Sequence, residues 1–174
     1  MFDVVLIEPE IPANTGNIGR TCVATGCSLH LVRPLGFDTD DKACRRAGLD
    51  YWPRLSLTEH DSFDEFLRSQ PREAGVWLLT THATRTVFDA RIHPGDALVF
   101  GKESSGLPAS LHERFPQGRL CLPMLPGERS LNLAAAVTAV VYEGLRQAVA
   151  GSALGIDPQG RLAGGSDRKN TGRG

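Results

Sequence analysis

Hydrophobic residues gather in short runs separated by longer mixed stretches. The clearest run is Val4-Val5-Leu6-Ile7. The pattern predicts strands at Asp3–Ile7, Ser28–Val32, Val76–Thr80, Ala97–Phe100 and Arg119–Leu122. Helices fill the intervals. Asn14 or Thr15 caps a first helix that reaches Thr25, where Gly26 ends it. Asp38 to Ala47 reads as a short second helix stopped by Gly48. Ser62-Phe63-Asp64-Glu65 is a capping box, and its helix runs to Ser69 ahead of Pro71. Pro108 suits the first turn of a helix ending near Arg114, and the last helix spans Leu131 to Ala150. Strands alternating with helices predict an α/β fold, a mostly parallel sheet with helices on both faces.

The last helix changes the picture. Leu131, Leu133, Ala134, Ala135, Ala136, Val137, Ala139, Val140 and Val141 leave almost no polar face in its first half. Such a helix is covered on all sides. A second subunit supplies part of that cover in one reading, and a central position within the monomer supplies it in the other. From Gly151 onward the chain turns glycine-rich, with four basic residues against two acidic ones. It holds little apolar material, so we expect one domain over 1–150 and a disordered tail over 151–174.

Composition mainly excludes. The 174-residue chain has a formal net charge of -1, so overall charge makes no case for a nucleic-acid partner. A local patch of Lys42, Arg45, Arg46 and Arg54 is the candidate, set against the reading of a solvated helix face. No stretch approaches the roughly 18 apolar residues of a membrane span. Met1-Phe2-Asp3 runs directly into a strand, unlike a signal peptide. Cys22, Cys27, Cys44 and Cys121 show no C-x-x-C spacing, which points to free thiols in a cytoplasmic protein and to no metal site.

Three segments carry candidate chemistry. Asn14-Thr15-Gly16-Asn17-Ile18-Gly19-Arg20 leaves a strand and opens a helix with two glycines and an arginine, a corner suited to phosphate. Val99 to Pro108 and Leu122 to Asn132 also follow strands and are stiffened by Gly and Pro. Ligands of open parallel sheets bind at that carboxyl edge. Neither G-x-x-x-x-G-K-[ST] nor G-x-G-x-x-G is present, so a nucleoside ligand without phosphates, such as S-adenosylmethionine, is admitted.

Together these segments resemble the motifs of the SPOUT class of RNA methyltransferases. The match is closest to the single-domain tRNA 2′-O-methyltransferases of the TrmL (YibK) type, which modify the wobble nucleotide, cytidine or uridine 34. It is carried by Glu8-Pro9-Glu10-Ile11-Pro12, Asn14 to Ile18 with Arg20, Arg46 to Tyr51, Gly106 to Ser110 and Arg129 to Leu133, over about Met1 to Gln147. One departure stands out: Lys102 occupies a position where this family often has proline. The resemblance implies a C-terminal trefoil knot, a feature almost absent elsewhere. It implies a homodimer whose sites draw on both chains, and S-adenosylmethionine held by Leu79, Gly101, Leu122, Met124, Ser130 and Leu131, without a metal. It implies Arg20, Asn14, Glu103, Ser130 and Asn132 as catalytic residues. Arg20, Lys42, Arg45 and Arg46 are implied as contacts to the tRNA anticodon stem-loop.

Overall fold

Strand Asp3–Ile7 (β1) lies at the centre of a six-stranded sheet, buried along Val4, Val5, Leu6 and Ile7. The computed structural model describes residues 1–39 and 50–164. The helix expected over Asp38–Ala47 and the basic residues Lys42, Arg45 and Arg46 therefore fall wholly or mostly outside the described residues.

Helix Pro12–Thr25 (α1) follows β1, and strand Ser28–Val32 (β2) follows α1. Strand Leu57–His60 (β3), helix Phe63–Ser69 (α2), strands Val76–Leu79 (β4) and Ala97–Phe100 (β5), and helix Ala109–Arg114 (α3) come next. Strand Arg119–Leu120 (β6) and helix Leu133–Ala150 (α4) complete the main fold. The strand order is β3-β2-β1-β5-β4-β6, and every neighbouring pair is parallel. Successive residues point to opposite faces, as strand geometry requires. Val4 and Leu6 of β1 face Ile18 and Cys22 of α1 and Val137, Val140 and Val141 of α4. Val5 and Ile7 face Phe63 and Phe66 of α2 and Leu111 of α3. Burial on both faces explains why β1 and β5 read as continuous apolar runs.

The helix ends follow local chemistry. Gly26 closes α1 at φ 70°, and its N–H reaches the Cys22 carbonyl. Pro12 takes the first position of α1, so that helix starts two residues before the Asn14 cap that was expected. Ser62 caps α2 by accepting from the Glu65 N–H, while Glu65 accepts from Asp61 rather than from Ser62. Helix α4 starts at Leu133, because Asn132 accepts from the Ala134 and Ala135 N–H groups.

Two differences from expectation have clear causes. Strand β3 was not anticipated because Leu57-Thr58-Glu59-His60 is largely polar. As an edge strand it needs only one neighbour, and it pairs with β2 while His60 meets His30 at 3.0 Å. The expected disordered tail is corrected over its first part. Strands Leu154–Ile156 (β7) and Leu162–Gly164 (β8) form an antiparallel hairpin. The Asp157 carboxylate accepts from the Gln159 and Arg161 N–H groups, and Gly160 supplies the left-handed turn at φ 78°. Leu154 anchors the hairpin against the main core.

Among the described residues α4 is covered on one side only. Val137, Val140, Val141 and Leu145 are buried, while Ala135, Ala139 and Tyr142 are exposed, Tyr142 at 56%.

Asp96 fastens the amino end of the sheet. Its buried carboxylate accepts from Gly75 N–H at 2.8 Å, from the Trp77 indole at 2.8 Å and from His93 N–H at 2.9 Å. Removing it strands three donors. Asp96→Ala is expected to lower folding stability by about 3 kcal/mol. A urea titration checks this, with the midpoint falling at an unchanged slope.

Candidate active site

The loops leaving β1, β4, β5 and β6 surround one cleft at the carboxyl edge of the sheet, with a volume of about 650 Å³. This is the edge where parallel sheets bind ligands. Leu79, Phe100, Leu122, Met124 and Leu131 supply apolar wall, and Asn14, Glu103, Ser130 and Asn132 supply polar wall. Gly101 is required by packing. A Cβ there would lie 2.0 Å from the Gly106 carbonyl carbon. Gly106 itself sits at φ 71°, which suits only glycine without strain.

A single chain of hydrogen bonds ties three of these loops together. The Asn132 side-chain N–H donates to Asn14 Oδ1 at 2.9 Å. The Asn14 side-chain N–H donates to Glu103 Oε1 at 2.8 Å. Glu103 also accepts from the Glu10 N–H at 2.9 Å and the Ile11 N–H at 3.3 Å. Its carboxylate thus satisfies orphan donors just before α1, where the helix dipole favours negative charge. Asn132 does the corresponding work at α4. Asn132 thus caps α4 and at the same time reaches the cleft residue Asn14.

The same loops are cross-braced a second time. The Lys102 ammonium donates to Glu8 at 2.7 Å, and this partner holds the lysine above its ordinary pKa. Glu10 accepts from the Ser104 hydroxyl at 2.8 Å and its N–H at 2.9 Å, which holds Glu10 below its ordinary range. Glu8 and Glu10 therefore hold loop 102–104 from the β1 side, and Glu103 of that loop holds the segment before α1 in return.

All nine expected cleft residues other than Arg20 come together: Asn14, Leu79, Gly101, Glu103, Leu122, Met124, Ser130, Leu131 and Asn132 all line the cleft. Arg20 does not. It lies six positions beyond Asn14 on α1, about 9 Å along the helix and about 240° around it. Its guanidinium stacks 4.7 Å from the Tyr51 ring centroid and 3.6 Å from Asp50, with the side chain 65% exposed. The Tyr51 hydroxyl donates to the Gly16 carbonyl, which fixes that ring against α1. Thr80, Thr81, His82 and Arg129 also line the cleft. The first three follow β4, so the carboxyl-edge rule applied to that strand would have found them. Among the described residues, no group of three or more His, Cys, Asp or Glu side chains could hold a metal.

Comparison with known proteins agrees with this geometry. Residues 1–142 match the SpoU rRNA Methylase family. A tRNA (cytidine(34)-2′-O)-methyltransferase of Acidovorax sp. (strain JS42) is 53% identical over 149 residues, covering 84% of this chain and 92% of the relative. The protein of the same name from Escherichia coli (strain K12) is 45% identical over 148 residues, covering 84% and 94%. A solved structure concerned with the 2-OH methylation of C/U34 on tRNA superposes with a TM-score of 0.81 at 47% identity, covering 86% of this chain and 97% of that one. The SpoU methyltransferase AviRb from Streptomyces viridochromogenes, solved with AdoMet, superposes at 0.73 with 25% identity, covering 84% and 57%. With the cleft, the parallel sheet and these matches all in agreement, the chain belongs to the SpoU methylase family.

Proposed function

We propose that this protein methylates the ribose 2′-oxygen of the wobble nucleotide, cytidine or uridine 34, in the tRNA anticodon loop, using S-adenosylmethionine. It works as a homodimer in the cytoplasm. The observation that carries the reading is the Asn132–Asn14–Glu103 chain, which draws three loops around one cleft. Relatives named for this reaction, at 45% to 53% identity, support the substrate.

The residues present fit the nucleoside cofactor. The apolar wall of Leu79, Leu122, Met124 and Leu131 suits an adenine face, Gly101 admits a close backbone approach, and Ser130 offers a hydroxyl beside them. When bound, S-adenosylmethionine supplies an activated sulfonium methyl. The chain's own task is to position and polarise a ribose hydroxyl. Loops stiffened by the Asn132–Asn14–Glu103 chain and by the Glu10–Ser104 contacts hold the two partners in line, and positioning of this kind accounts for much of a rate. The trefoil knot belongs to the same reading. From β6 at the sheet edge the chain returns past loop 101–106 to pack α4 on α1, where Thr21 and Thr138 meet at 3.0 Å.

Arg20 acts across the dimer. It stands outside the cleft of its own chain and shares helix α1 with the cleft residue Asn14, so it serves the partner's cleft. A guanidinium stays protonated in proteins, so Arg20 is a clamp on the target nucleotide and a stabiliser of developing negative charge on the 2′-oxygen, rather than a base. The open α4 face of Ala135, Ala139 and Tyr142 is the dimer surface.

Nucleoside analysis of tRNA from cells with and without the gene tests the substrate. Loss of the 2′-O-methyl group at position 34 is expected, and its persistence refutes the assignment. Arg20→Ala should lower turnover by roughly two to four orders of magnitude at saturating RNA. Its affinity for S-adenosylhomocysteine, measured by calorimetry, should stay within about twofold of wild type, because Arg20 lies outside the cofactor cleft. Ala139→Glu should give a monomer in sedimentation analysis with little activity, and a fully active dimer would place the subunit contact elsewhere.

A further inference from the structure

Lys102 lines the cleft next to Glu103, and its ammonium donates to Glu8. Glu8 follows β1 directly and sits at φ 49°, a left-handed conformation uncommon for a residue with a Cβ. The chain tolerates that strain and aims a carboxylate at loop 102–104. The side chains of the pair are 33% and 30% exposed. Pairs at such exposure contribute little net stability, so the ammonium can change partners at small cost. The other acids nearby are engaged: Glu10 by Ser104, and Glu103 by Asn14 and the backbone before α1. Among the described residues, Lys102 and Arg129 are the lysine and arginine side chains on the cleft wall.

A ribose presented to this cleft carries a phosphate on either side. An ammonium is a compact three-donor cation well suited to a phosphate oxygen. We infer that Lys102 is an RNA-contact residue: on binding it leaves Glu8 and takes a phosphate oxygen next to the ribose being methylated. Glu8 is the internal stand-in for that phosphate and keeps the ammonium oriented while the cleft holds no RNA. This rests on RNA entering the cleft, as proposed above.

A plain structural clasp and a phosphate contact predict opposite effects for the two partners. If the pair only braces two loops, losing either member weakens RNA binding. If Lys102 takes a phosphate, losing Glu8 removes a competitor. The experiment measures binding of an unmethylated anticodon stem-loop RNA by Lys102→Met, Lys102→Arg and Glu8→Gln proteins across a salt series. Lys102→Met is expected to weaken binding about 5- to 10-fold and to reduce the magnitude of the salt slope by about 0.7, one phosphate contact on single-stranded RNA. Lys102→Arg should keep the wild-type slope. Glu8→Gln should bind as tightly as wild type or up to about threefold more tightly, because a phosphate no longer displaces a carboxylate. Affinity for S-adenosylhomocysteine, within about twofold of wild type in every variant, shows that the cleft is intact. Weaker RNA binding by Glu8→Gln alongside Lys102→Met overturns the inference, as does an unchanged salt slope in Lys102→Met. Methyl transfer to the same stem-loop by the wild-type protein is followed in parallel, so failure of the substrate reading is distinguished from failure of this one.

Discussion

Two asparagine amides and one carboxylate hold the site together. Asn132 and Asn14 are 118 positions apart, yet their side chains share a hydrogen bond. Each amide is used in two directions. Asn14 donates to Glu103 and accepts from Asn132, and Asn132 donates to Asn14 and accepts from two N–H groups of α4. This use sets the orientation of both amides. Because the chain ends on the starts of two helices, the helices and the cleft loops share one frame. A network satisfied in this way rigidifies, whereas a partly satisfied one is costly.

The sheet explains why the frame sits where it does. All neighbouring strands are parallel, so every strand-to-helix loop leaves at the same edge. Polar residues there can converge without entering the core. Both faces of the sheet below are apolar and close-packed, which makes β1 and β5 a stiff base for the loops. Glycine at 101 is part of the same economy of space, since loop 101–106 closes on itself too tightly for a side chain.

Helix α1 connects two environments. Its first turn places Asn14 in the cleft, and its third places Arg20 on the outside over Tyr51. A helix is rigid over this length, so the frame that positions Asn14 also positions the arginine. In the proposed dimer this couples the geometry of one cleft to the cation that serves the other. The clasp of Glu8, Glu10 and Glu103 then has two tasks: it seats α1, and it presents Lys102 on the cleft wall.

Much of this was legible in the chain itself. Continuous apolar runs mark strands buried on both faces, and five strands and the main helices were placed by periodicity, caps, Gly and Pro. Those signals are local, so they are written in neighbouring residues. Loop composition likewise marked the three segments that line the cleft. Strand β3 was missed because a polar edge strand is stabilised by its neighbour rather than by its own pattern. The hairpin after α4 was missed because one aspartate and one glycine organise a turn that composition alone reads as loose. What only the tertiary structure decided is relative placement. Periodicity cannot say that Asn132 meets Asn14, that Glu103 holds the backbone just ahead of a helix beginning some ninety residues earlier, or that Arg20 stands outside its own cleft. Those facts depend on strand order and on which faces of α1 and α4 the sheet covers, and both follow from long-range packing rather than from any local preference.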